Sequence, residues 1–118
     1  MTNSRTDSRE VVKAAYSFFN ARDLDAVLKT MHEDVDWPNG MEGGRIHGPE
    51  NVRDYWIRQW NMMNPQVEPV SIHDDETGQI DVEVHQVVRD IEGNLLVDQT
   101  VHHVYTIQNG LIEKMEIR

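Results

Sequence analysis

The residues of this chain best suited to chemistry sit close together near its C-terminal end. From Leu95 to Ile107, every second position reads Leu95, Val97, Gln99, Val101, His103, Tyr105, Ile107. Side chains two apart share one face of a strand. Gln99, His103 and Tyr105 therefore interrupt a face that is otherwise apolar. A polar group buried without a partner costs a few kcal/mol, so these three either satisfy one another or converge on a ligand. His103 is the candidate catalytic residue, because imidazole titrates near neutral pH and can both take and give a proton. On that reading, a rate that depends on it should show an ionisation in the ordinary histidine range. His102 falls on the opposite face with Asp98 and Thr100, toward solvent or a subunit contact.

Further candidates surround this strand. Strict alternation from Ile80 puts His85 outward beside Asp81 and Glu83, but the adjacent Val87 and Val88 break the pattern, and a bulge there could turn it inward. Trp37, Tyr55, Trp56 and Trp60 are large rings expected around a pocket, and Tyr16 could donate a hydrogen bond into it. The expected ligand-binding set is thus Tyr16, Trp37, Tyr55, Trp56, Trp60, His85, Gln99 and Tyr105, with His103 as acid or base.

Other chemistries lack residues. There is no cysteine, which removes disulfides, thiolate nucleophiles and cysteine zinc sites. The 6 histidines show no His-x-x-x-His or Glu-x-x-His spacing on one helix, and adjacent His102 and His103 face opposite ways, so no metal site is expected. No Gly-x-Gly-x-x-Gly, Walker loop or Gly-x-Ser-x-Gly occurs, so no cofactor is expected either. Eleven basic residues against 21 acidic ones leave a charge of −10. That opposes binding to nucleic acid or anionic lipid, which depends on Lys and Arg neutralising phosphates. No apolar run approaches a membrane span, and the polar opening Met1-Thr-Asn-Ser-Arg leads into no apolar segment, so a cytoplasmic protein is expected.

The elements that must position these residues are legible from periodicity. At 118 residues, with 38% hydrophobic and 27% charged, one domain over 1–118 is expected, with residues 1–6 as a flexible tail. Asp7 and Glu10 fit a capping box ahead of Val11, Val12, Ala15, Phe18 and Phe19. Asp23 caps a short second helix with Leu24, Val27, Leu28 and Met31 on one face. Asp34 to Trp37 reads as a strand ended by Pro38-Asn39-Gly40, and Gly48-Pro49-Glu50 opens a third helix that closes by Pro65. From Val70 the period drops to 2, with turns at Asp75–Gly78, at Glu92-Gly93-Asn94 and at the strong hairpin signal Asn109-Gly110. Helices followed by a meander of long strands predict an α+β fold, with helices packed on one face of a curved antiparallel sheet.

Four strings carry a resemblance over essentially the whole chain: VVKAAYSFFNARDLDAVL at 11–28, then DVDWPNG, the Gly48-Pro49 helix start with VRDYW, and HVYTIQNGLIEKMEI at the end. Together they resemble the nuclear transport factor 2-like superfamily, in its ketosteroid isomerase-like and polyketide cyclase-like (SnoaL-like) branch. The resemblance implies a cystatin-like cone: three N-terminal helices on a strongly bent sheet, a pocket inside, and a homodimer through the outer sheet face. It also implies an inward His85. The isomerase residues do not carry over. Its Asp base falls on Trp37, its first-helix tyrosine on Ala15 beside Tyr16, and its protonated Asp on His103. Steroid isomerisation is therefore not implied. Cyclase-like relatives move protons with acidic and histidine side chains, for which His103 would serve, joined by Arg89, Asp36 or Asp98. An Asp-Arg-Asp set of the epoxide hydrolase kind is not found.

Three alternative functions follow as expectations. One is an isomerase, cyclase or hydrolase acting on a small apolar substrate through His103. Another is a non-catalytic module that binds a hydrophobic or aromatic molecule, and the remaining alternative is a dimeric interaction domain without a ligand.

Overall fold

The structure is a computed structural model that describes residues 4–75 and 77–118, with side chains from residue 8 onward. Its elements are α1 (Ser4–Asn20), α2 (Leu24–Leu28), β1 (Met31–Pro38), β2 (Arg45–His47), α3 (Pro49–Met62), β3 (Met63–Asp74), β4 (Ile80–Asp90), β5 (Leu95–Gln108) and β6 (Leu111–Ile117). One six-stranded sheet runs in the order β2-β1-β6-β5-β4-β3. The three helices pack on its inner face, which is the expected α+β architecture.

Several boundaries differ from the sequence reading, each for a physical reason. α1 already runs through Asp7, so the capping box expected there lies inside the helix, and α1 takes in residues 4–6 of the expected tail. Residues 1–3 lie outside the described residues, as does Glu76 of the acidic turn. Met31 belongs to β1 rather than to the second helix. Asp23 does cap α2, accepting from the Ala26 N–H at 3.3 Å, but α2 stops after five residues. β3 begins before Pro65 and contains both Pro65 and Pro69. An edge strand tolerates them because one side of its backbone has no ladder partner. The strands also do not form a pure meander: β1 pairs with β6 in parallel and with the short, unforeseen β2 antiparallel.

The end of α1 explains how the helical layer is held to the sheet. Asp23 N–H donates to Phe18 O and Arg22 N–H to Phe19 O, the bonds of a Schellman turn. Its left-handed position is Arg22, at φ 62°, where glycine is usual. The guanidinium offsets that strain. It donates to the Pro65 and Phe19 carbonyls and to the Asn64 side chain, and lies over the Phe19 and Trp60 rings. Asn20 pairs with Val67 in both directions, donating to its carbonyl at 2.7 Å and accepting from its N–H at 3.0 Å. The motif Asn20-Ala-Arg-Asp thus ties α1 to the edge strand β3.

Alternation then decides what faces inward. β4 and β5 pair Ile80 with Tyr105, Val82 with His103, Val84 with Val101, Gln86 with Gln99 and Val88 with Val97. Val82 and Val84 are fully buried, each contributing about 1.5–3 kcal/mol. In β6 an extra residue between Ile112 and Lys114 lets both Ile112 and Met115 reach the core. At Asn109-Gly110, φ of 53° and 78° gives the expected two-residue turn of the primed type.

Candidate functional site

The inner face of β5 runs from dry to wet. Tyr105 and His103 are 2% and 7% exposed, whereas Gln99 and Leu96 are exposed. Beside it lies a cavity of about 490 Å³, within the usual range for small-molecule sites. Its deep end is closed by Tyr16 and Ala15 from α1, Val27 from α2 and Met31 from β1. Trp37, Tyr55 and Trp56 form one aromatic wall, and Gln86, Gln99 and Leu96 stand toward the mouth.

A relay of three side chains ends the cavity. Tyr105 donates its O–H to the Tyr16 oxygen at 2.7 Å. The Tyr16 proton is then directed to His103 Nδ1, 2.8 Å away. An imidazole that accepts at Nδ1 is neutral and carries its proton on Nε2. Nε2 has no protein partner among the described residues, so it is left to the cavity that the ring lines. Burial pushes the His103 pKa down to about 4, and the nearby His102 charge adds to that shift. Burial also drives both tyrosine hydroxyls well above their ordinary range, although the bond to Tyr16 partly offsets this for Tyr105. All three groups are therefore uncharged at neutral pH. The expectation that His103 ionises near pH 7 does not fit this burial.

Among the described residues, the cavity wall holds no carboxylate, ammonium or guanidinium. The partners considered for His103 are engaged elsewhere. Asp36 binds Arg45 at 2.7 Å, Asp98 binds His85 at 2.7 Å, and Arg89 donates to the Gly93 carbonyl. No cluster of three or more His, Asp or Glu side chains that could hold a metal ion occurs among the described residues.

The structure brings Tyr16, Trp37, Tyr55, Trp56, Gln99, His103 and Tyr105 to one cavity. It does not bring His85 or Trp60 there. His85 pairs with Thr100 on the outer face, because alternation in β4 runs unbroken through Val88 and the irregularity comes only after it. Trp60 stacks behind Trp56, at 6.0 Å between centroids, with its indole N–H buried and without a hydrogen-bond partner among the described residues. The Tyr55 hydroxyl accepts from the Met41 N–H at 3.2 Å, fixing the loop after β1 against α3. Gln86 and, from α3, Gln59 are polar lining residues that the sequence reading passed over; for Gln86 the signal was there. Counting every second residue from Ile80 reaches it, but the apolar pair Val87-Val88 concealed the period.

The chain matches the family model described as SnoaL-like domain over residues 12–115, and it belongs to that family. No curated protein matches it. Among solved structures it resembles TerC co-crystallized with polyporic acid, at 23% identity and TM-score 0.82, covering 95% of this chain and 90% of that one. It resembles a Mycobacterium tuberculosis LEH-like epoxide hydrolase at 20% identity and TM-score 0.80, covering 95% and 81%. It also resembles a further M. tuberculosis protein, in complex with estradiol-17beta-hemisuccinate, at 17% identity and TM-score 0.80, covering 92% and 90%. At such identities the likeness shows the fold alone. Among the described residues, no helix is long and apolar enough to cross a membrane.

Proposed function

We propose that this chain binds a neutral, largely apolar or aromatic small molecule, held at the deep end by the Nε2–H of His103. One observation carries the reading: the relay from Tyr105 through Tyr16 to His103 ends a cavity of about 490 Å³ whose described wall has no charged side chain. An unpaired ligand charge in such a wall would cost several kcal/mol, so the ligand is neutral. Flat rings suit the tryptophan and tyrosine wall. Two structural relatives were solved with polyporic acid and with estradiol-17beta-hemisuccinate, which supports a small-molecule ligand. Because the cavity is open rather than filled by its own side chains, a ligand-free interaction domain is the weaker reading.

The test is quenching of the Trp37 and Trp56 fluorescence by 2-naphthol and by 2-naphthalenesulfonate. The neutral probe is expected to bind at least tenfold more tightly. His103→Gln should keep that affinity within a few-fold, and His103→Leu should lose most of it. Equal affinity for the two probes would overturn the reading.

A catalytic variant, of the isomerase, cyclase or hydrolase kind, is favoured by the free Nε2–H in an apolar site. A neutral imidazole placed there polarises a substrate carbonyl rather than removing a proton. With a pKa of about 4, its rate would be flat from pH 5 to 8 and fall only toward pH 4. In that variant His103→Gln would abolish turnover while sparing binding.

We also propose a homodimer through the outer sheet face, where His85–Asp98 and His102–Asp81 pairs lie. Sedimentation should give twice the 13.7 kDa chain mass.

A further inference from the structure

We infer that the ligand is two-ended, with a hydrogen-bond acceptor at the deep end, a neutral hydroxyl or comparable donor–acceptor group at the mouth, and an apolar body between. This rests on the binding reading above and deepens it. The cavity has two polar stations on the same pair of strands. The deep station is His103 with its tyrosine relay. The second is the rung formed by Gln86 and Gln99, which face each other across β4 and β5. Between them lies the rung of Val84 and Val101, which is wholly apolar.

The chemistry of the mouth station follows from counting donors and acceptors. The two amides are joined by one hydrogen bond, Gln99 Nε2 to Gln86 Oε1 at 3.1 Å. That bond uses one N–H and one lone-pair direction. Free N–H groups and a carbonyl remain side by side, and the same inventory remains if the bond runs the other way. Such a pair can donate to and accept from one hydroxyl at once, and it offers no charge to hold an ion. The chain's charge of −10 further disfavours an anionic end.

Strand geometry sets the length. Gln99 and His103 are four residues apart on one face, which at about 3.3 Å per residue is roughly 13 Å. Val101 and the aromatic wall line that span and would cover a rigid apolar body. A molecule with a single polar end leaves one station unused.

The test uses two probes of equal shape, 4,4′-dihydroxystilbene and 4-hydroxystilbene, titrated against the full chain by tryptophan quenching and calorimetry. The dihydroxy probe is expected to bind about five- to tenfold more tightly, since one added hydrogen bond contributes roughly that factor. In the double variant Gln86→Leu with Gln99→Leu the advantage of the dihydroxy probe over the monohydroxy probe should disappear. Circular dichroism reports whether the fold is intact; should the double variant fail to fold, Gln99→Leu alone is expected to lose most of the advantage. Equal binding of both probes to the unaltered chain would overturn the two-ended ligand and leave the cavity reading standing. Failure of both probes to bind at all would overturn both readings.

Discussion

Two histidines adjacent in sequence occupy opposite electrostatic worlds. His102 points out of the sheet to Asp81, 2.8 Å away, and that hydrogen bond raises its pKa above the ordinary 6.5. His103 points in, accepts from Tyr16, and burial lowers its pKa to about 4. One strand thus carries a histidine that water and a carboxylate encourage to charge, beside one that burial keeps neutral. Residue type does not set the protonation state here; the face of the strand does.

The largest expected effect is on stability in acid. Between pH 6.5 and about 4 the unfolded chain takes up a proton that buried His103 refuses. Its contribution is therefore complete above pH 6.5 and is lost as pH falls toward 4, by about 3 kcal/mol. Urea unfolding at pH 7 and at pH 4.5 should show His103→Gln losing correspondingly less stability than the unaltered chain. Identical slopes would break the contrast.

A smaller effect is expected from Tyr16→Phe, which leaves the Tyr105 hydroxyl without an acceptor and Nδ1 without a donor. The cost should be about 1–3 kcal/mol. Tyr16 bonds to the neutral form of His103, so its loss should also move the His103 titration upward, as followed by NMR. A titration that stays in place would show that burial alone sets it.

The smallest effects belong to the outer face. On the monomeric chain, at high dilution, His102→Gln and His85→Gln should each change stability at pH 7 least of all, because exposed pairs are weak. The His102 contribution has the opposite sign of pH dependence: present below pH 6.5, it fades as pH rises through the raised folded value. NMR titration of His102 to a midpoint at or below 6.5 would remove this half of the comparison.

The layout was legible in the residues wherever one period ran long enough. Three helical stripes, the Asn109-Gly110 turn and the inward set of β5 all follow from spacing, as does the position of Gln99 and His103 on one face. The reading failed where a local signal competed with a distant one. Pro65 looked like an end, yet an edge strand accommodates it. Val87-Val88 looked like a bulge, yet the pairing with β5 holds β4 in register through Val88. β2 is three residues long, too short to show a period, and the parallel β1–β6 pairing joins segments some 80 residues apart, which no local pattern encodes.

The amino-acid order by itself determined which residues share a face, because alternation and helical spacing are properties of the local backbone. The tertiary structure decided what those residues are. Tyr16 and Tyr105 are 89 positions apart, and only the packing of α1 across the sheet brings their hydroxyls together with Nδ1 of His103. Hydrogen bonding and desolvation act over a few ångströms in space, whatever the distance along the chain. The neutrality of His103 and the absence of a charged partner in the described cavity wall are therefore consequences of the folded arrangement.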